Sequence, residues 1–274
     1  LPRPPMLAPS ILLASTLGFS PLVAPGRGAV LTPTPVSVRS INMVLPFTEM
    51  GAAALAATGV VEWVEPTSEL TGLKDARFKD QASALPTLVR AIGAWKICLA
   101  FNLIVGKQGA KMASACGLFV AALTQLSILP VWELLGREKG SQAFAVVLFA
   151  VLGRLTLTGT IGPVVAPVVY LLTGLLIYLT PKSTAELYKL NVGISELGFS
   201  MLSLYGGMIA TSGFYLAALA YGLTQPRAFA ATFAVNAVLI LKWAATESGK
   251  LGSSRVVPLV WAAMSAALSA LALM

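Results

Sequence analysis

From Ala84 to Met274 the sequence is a nearly unbroken succession of long apolar runs, separated by polar breaks a few residues long. Such runs leave few options. A helix that is apolar on every side must be covered by other helices or by lipid. The whole chain cannot supply that cover from its own polar residues. Of 274 residues, 57% are hydrophobic and 11% charged, against about 25% charged in an ordinary soluble domain. With a mean hydropathy of +0.82, the chain reads as an all-α polytopic membrane protein. Spans are expected near Leu85–Gly106, Lys111–Leu135, Gln142–Leu157 and Ile161–Leu179, and again near Leu187–Gly206, Ile209–Leu223, Ala228–Ala245 and Val256–Leu273. That is eight, several of them shorter than the ~20 residues a bilayer asks for.

The second group of four echoes the first. "AIGAWK" (Ala91–Lys96) corresponds to "NVGISE" (Asn191–Glu196), "GLFVAALTQ" (Gly117–Gln125) to "GFYLAALAY" (Gly213–Tyr221), "QAFAVVLF" (Gln142–Phe149) to "RAFAATFA" (Arg227–Ala234), and "VVAPVVY" (Val164–Tyr170) to "VVPLVW" (Val256–Trp261). The expectation is a tandem 4+4 repeat, with units at residues 84–182 and 183–274. A unit with an even number of spans returns the chain to its starting side, so the copies stand in the same sense about an axis along the membrane normal. In this reading "YGGM" (Tyr205–Met208) is a break between helices.

Net charge is +8, but the basic residues stand singly at the ends of apolar runs. They read as topology signals and lipid anchors rather than as a nucleic-acid surface. Counted by loops, Lys74, Arg77, Lys79, Arg137, Lys139, Lys182, Lys189 and Arg227 share one side, against Lys107, Lys111, Lys250 and Arg255 on the other. The positive-inside rule then places both the polar linker and the C-terminus in cytosol, stroma or matrix.

Residues 44–83 hold a helix-prone segment, "EMGAAALAATGVVEWV" (Glu49–Val64), and a polar linker, "EPTSELTGLKDARFKDQ" (Glu65–Gln81). The segment is short for a span and carries acids at its ends, so a peripheral helix is expected. Residues 1–43 read as a targeting leader or surface tail. An apolar stretch broken by prolines (Met6–Ala24) precedes an acid-free, hydroxyl-rich and proline-rich one (Leu31–Met43). This order resembles the bipartite leaders of nucleus-encoded proteins of complex plastids in algae; a mitochondrial presequence is the alternative.

At bilayer depth, ionisable groups are candidate functional sites because burying them costs several kcal/mol. Arg154 and Lys242 lie towards run ends and can snorkel. Lys96 and Glu196 occupy equivalent positions in the repeat, so an ion pair between the two halves is expected. Asn102, Gln125 and Asn236 are neutral polar groups on apolar helices, suited to interhelical hydrogen bonds. In a pigment-bearing protein their oxygens, like that of Glu196, could also ligate the magnesium of chlorophyll. Histidine is absent, and Cys98 and Cys116 stand on separate runs with no CxxC, so no protein-held metal or redox motif is expected.

No Walker, GxSxG, HExxH or GxGxxG sequence is present, and acids are sparse and isolated. A non-catalytic role is expected. Together with the leader, the chain resembles accessory subunits of photosystem I–antenna supercomplexes in algae with complex plastids, though it lacks the Glu, Asn/His and Arg signature of the antenna proteins themselves. "RAIGAWK" (Arg90–Lys96) and "NVGISE" give a fainter likeness to DoxX-type four-helix membrane proteins. The resemblance implies a thylakoid location, other membrane subunits and lipids as partners, and a few chlorophylls and carotenoids. The alternatives are a small-solute or ion transporter with its site between the repeats, and a respiratory accessory subunit of the mitochondrial inner membrane.

Overall fold

The structure, a computed structural model, is described here for residues 47–66, 84–136, 139–190, 196–247 and 255–274. The leader and most of the polar linker lie outside them. The described residues are helical without strands. Among the described residues nine α-helices follow in order: α1 (Phe47–Val64), α2 (Ala84–Val105), α3 (Ala110–Ile128), α4 (Lys139–Thr158), α5 (Val165–Leu179), α6 (Pro181–Leu187), α7 (Glu196–Ala220), α8 (Gln225–Thr246) and α9 (Val256–Leu271). Short 3₁₀ turns at Gly106–Gln108 and Leu129–Leu135 extend α2 and α3.

Five of these segments are long and apolar enough to cross a membrane: Leu85–Gln108, Ala110–Leu135, Lys139–Thr158, Glu196–Ala220 and Gln225–Thr246. A sixth counts if α5 and α6, bent by 109° at Thr180, are taken as one broken span. α9 is apolar but only 16 residues long. The reading as a helical membrane protein stands at this level.

The helices pack in neighbouring pairs: α1 on α2, α3 on α4, α5 on α7 and α8 on α9, with α2 against α7 at the centre. The core lies along α2 and α7. Trp95, Leu99, Leu103, Tyr215 and Leu216 are all less than 2% exposed. Outer helices bury far less: 17% of the apolar stretch of α4 is covered by the rest of the chain, against 72% for α2 and α7.

Two expectations are corrected. The spans drawn over Leu187–Gly206 and Ile209–Leu223 are a single helix, α7, of 25 residues, and "YGGM" lies inside it. Gly206 is no break because it is a contact point. A Cβ there would stand 2.7 Å from the carbonyl of Gly174 on α5 and 2.5 Å from the backbone nitrogen of Tyr178. Glycine is used here to let two backbones meet, as it commonly is between membrane helices. With α7 whole, the described residues after 182 hold three helices of 16 residues or more, where four spans were expected.

The helix expected over Glu49–Val64 forms, but it is no satellite. Thr48, Gly51, Ala52, Leu55, Gly59 and Glu62 are buried, and the Gly51 backbone sits under the Phe229 ring of α8. The α1–α2 crossing is as close as that of α5 and α7. A Cβ on Gly93 would be 2.5 Å from the carbonyl of Gly59, and one on Gly59 2.6 Å from that of Gly93.

Candidate functional site

Where α1 crosses α2, the next residues outward from the glycines are Glu62 and Lys96. Glu62 stands three residues after Gly59 and Lys96 three after Gly93, each beside the opposite glycine, so the close approach of the backbones brings the two side chains together. Lys96 Nζ donates to Glu62 Oε1, with the two side chains 18% and 9% exposed. The Trp261 ring of α9 lies 5.8 Å from the ammonium, so a third helix closes over the pair. At 1.5 Å per residue, Lys96 lies about 18 Å from the start of α2 and about 14 Å from its end. Lys96 is thus near the middle of α2, and an ion pair largely withdrawn from water there is costly and rarely idle.

The expected Lys96–Glu196 pair does not form. Glu196 is the first residue of α7, at the end of the bundle, where it accepts a 2.7 Å hydrogen bond from Lys182 of α6. The two charges are taken up separately, Lys96 by Glu62 and Glu196 by Lys182.

The other candidate residues are placed in three further positions. Gln125 of α3 is buried in an amide chain: Gln142 of α4 donates to its Oε1, and its own Nε2 reaches the Tyr205 hydroxyl of α7 at 3.5 Å. Asn236 of α8 accepts from Thr211 of α7 at 3.4 Å and donates to Ser265 of α9 at 3.1 Å. Asn102 of α2 is fully buried against Gly117 of α3, with Nδ2 3.9 Å from Cys98 Sγ. Its Oδ1 has no protein partner, and a Cβ on Gly117 would sit 2.8 Å from it. The structure therefore brings none of Glu196, Gln125, Asn102 and Asn236 together. Glu196 is the most open of the four, with its side chain 55% exposed.

Sequence reading passed over two groups at this centre. Tyr170 of α5 donates to the carbonyl of Gly117 at 2.8 Å and meets Trp95 and Phe149 edge-on, joining α2, α3, α4 and α5. Glu62 was visible only as a charge at the end of a short segment. Its signal is the glycine three residues before it. Arg154 is exposed on α4, and Lys242 lies 4.5 Å from the Tyr178 ring, as side chains near run ends would.

Among the described residues, no three of His, Cys, Asp and Glu converge as a metal site would require. Comparison with protein-family models, with curated proteins and with solved structures finds no match.

Proposed function

We propose that this protein is a non-catalytic accessory subunit of a large organellar membrane complex, with a plastid photosystem–antenna assembly the favoured setting. The observation that carries this reading is how the polar groups at depth are disposed while the outer apolar faces stay open. Gln125, Gln142, Asn236, Thr211 and Ser265 hydrogen-bond within the bundle. The outer face of α4, by contrast, presents Phe144, Val147 and Val151 at 68%, 60% and 49% exposure. A path for a polar solute needs groups turned towards a channel; a subunit needs apolar faces for neighbours and lipid. Chlorophyll or carotenoid would lie along such outer faces, and Glu196 is the most open candidate ligand for a magnesium.

In this proposal all eight longer helices cross, α6 lies along the surface, and the chain forms two four-helix halves, α1–α4 and α5–α9. Because α7 crosses once, the sidedness expected from sequence is revised. Lys74, Arg77, Lys79, Arg137, Lys139, Lys182, Lys189, Lys250 and Arg255 fall on one side, against Lys107, Lys111 and Arg227 on the other. Nine against three is a sharper asymmetry than eight against four, which supports the revision. Met274 then faces away from the polar linker.

The deciding experiment is native electrophoresis of mildly solubilised membranes from the source cells, probed with an antibody to this chain. Co-migration with a chlorophyll-bearing complex supports the proposal. Migration as a free protein in every detergent overturns it. A transporter is the second reading, favoured by the Glu62–Lys96 pair near mid-depth. Solute flux in liposomes holding the purified chain would establish it.

A further inference from the structure

The two glycine crossings agree atom for atom. Around Gly93 the nearest atoms that a Cβ would meet are Gly59 O, Glu62 Cβ and the backbone nitrogen of Trp63; around Gly206 they are Gly174 O, Ile177 Cβ and the backbone nitrogen of Tyr178. Gly59, Glu62 and Trp63 thus map onto Gly174, Ile177 and Tyr178, each 115 positions later. Gly93 maps onto Gly206 with an offset of 113, and the same offset joins Gly109 to Gly222. Those two glycines turn the chain into the following helix with φ of 91° and 85°.

The third helices agree as well. In a register of 115, the buried positions Ala113, Ala115, Leu118 and Ala122 of α3 meet Ala228, Ala230, Phe233 and Ala237 of α8, also buried. The sequence carries the same match: "TGVVEWV" (Thr58–Val64) against "TGLLIYL" (Thr173–Leu179).

We infer that residues 47–158 and 165–271 are two copies of one four-helix unit, and that the surface along α2 and α7 is built to receive another such unit. This goes beyond the functional reading above and does not depend on it. The docking is reciprocal. The first helix of each half rests on the other half: α1 on α8 through Gly51 and Phe229, α5 on α3 through Tyr170 and Gly117. Likewise α1 touches α9, and α5 touches α4. Each unit is therefore the partner of the other, as in an isologous dimer joined into one chain.

The copies diverge at one informative place. Where the first half has Glu62 and Lys96, the second has Ile177 and Ile209, both buried. Trp261, which covers the charged pair, comes from α9 of the other half. In a pair of two first halves, that cover would come from α4 instead and the tryptophan would be lost. The ion pair thus selects the unlike half over a second copy of the like one, a use of charge for pairing specificity rather than for stability.

Transplantation tests this in the full chain. Ile177→Glu and Ile209→Lys are made singly and together, and thermal unfolding is followed in detergent. If the positions are equivalent, each single variant lowers Tm by on the order of 10 °C and the double variant recovers at least half of that loss. A double variant that loses as much as the two singles added overturns the equivalence. Should the singles fail to fold, a protease site inserted between Thr160 and Pro163 gives a second measurement. After cleavage the halves are expected to co-elute as one species in mild detergent, and their separation overturns the docking surface.

Discussion

Glu62 of α1 receives the ammonium of Lys96 of α2 at the point where two glycine backbones touch, and beside the second such crossing, of α5 and α7, stand two buried isoleucines, Ile177 and Ile209. The charge is therefore dispensable to the crossing as such but cannot be halved. Lys96→Met takes the ammonium away from a largely buried carboxylate, and we expect a loss of about 1–3 kcal/mol, below the 3–5 of a fully buried pair because both groups retain some exposure. Glu62→Ile with Lys96→Ile should restore most of it. Thermal melts of the single and double variants give the comparison; a double variant worse than Lys96→Met contradicts it.

At the crossings themselves, added bulk is what matters. Gly93→Ala and Gly206→Ala each place a methyl within 2.5 Å of backbone that cannot step aside. Losses of about 2 kcal/mol or more, similar in the two variants, are expected in denaturation curves. Gly140→Ala, with nothing within 4 Å of the new methyl, is the neutral control.

The amide chain Gln142–Gln125–Tyr205 offers a different signature. Gln125→Leu strands the Gln142 amide in a buried site and should cost about 1–3 kcal/mol. Gln125→Leu with Gln142→Leu removes both partners and should come close to the parent. Equal damage in the single and double variants would show that the amides matter through shape and not through hydrogen bonding.

Sidedness can be read chemically. Cysteines placed at Lys74 and at Met274, in a chain lacking Cys98 and Cys116, should react with an impermeant maleimide from opposite sides of sealed vesicles. Labelling of both from one side would return the topology to the one first drawn from the sequence.

Lys182 is held above the ordinary lysine value of 10.5, chiefly by its hydrogen bond from the ammonium to the Glu196 carboxylate. A raised folded-state value means the pair stabilises below the unfolded value, and its contribution disappears as pH climbs through the folded one. The deficit of Glu196→Gln relative to the parent should therefore be small at neutral pH, as for any exposed pair, and vanish as pH climbs through the raised lysine value. Melting temperatures of the two proteins across pH 7–11.5 give the test.

Much of the architecture was legible in the sequence: the all-helical membrane character and, within a few residues, α2, α3, α4 and α8. What misled was the double use of glycine. In water Gly206–Gly207 would weaken a helix and read as punctuation; between membrane helices it marks the place of closest approach. That misreading divided α7 in two. The four phrase matches then rested on alanine, leucine and phenylalanine, residues so frequent here that phrases match out of register. The match between Thr58–Gly59 and Thr173–Gly174, the glycines of the two crossings, stands in a different register. It was hidden because two glutamates made α1 look unfit for the bundle. Glu62 also shows why Lys96 was paired with the wrong acid. Its partner lay in a segment already set aside as peripheral, while Glu196 stood at the matching place in the repeat as read from the sequence.

The touching glycines bear on the order of assembly. A contact made of backbone alone has no rotamers to freeze and no side chain to pass through the partner's groove. Each such seam can close as soon as its second helix leaves the insertion machinery, before the seam between halves exists. In the sequence a polar stretch separates α1 from α2, and the 109° elbow follows α5 before α7, so each pair of helices that must find each other has a break between its members. Nascent chains of this kind would arrive in the lipid as two pre-formed hairpins, leaving the meeting of α2 with α7 as the last and slowest event.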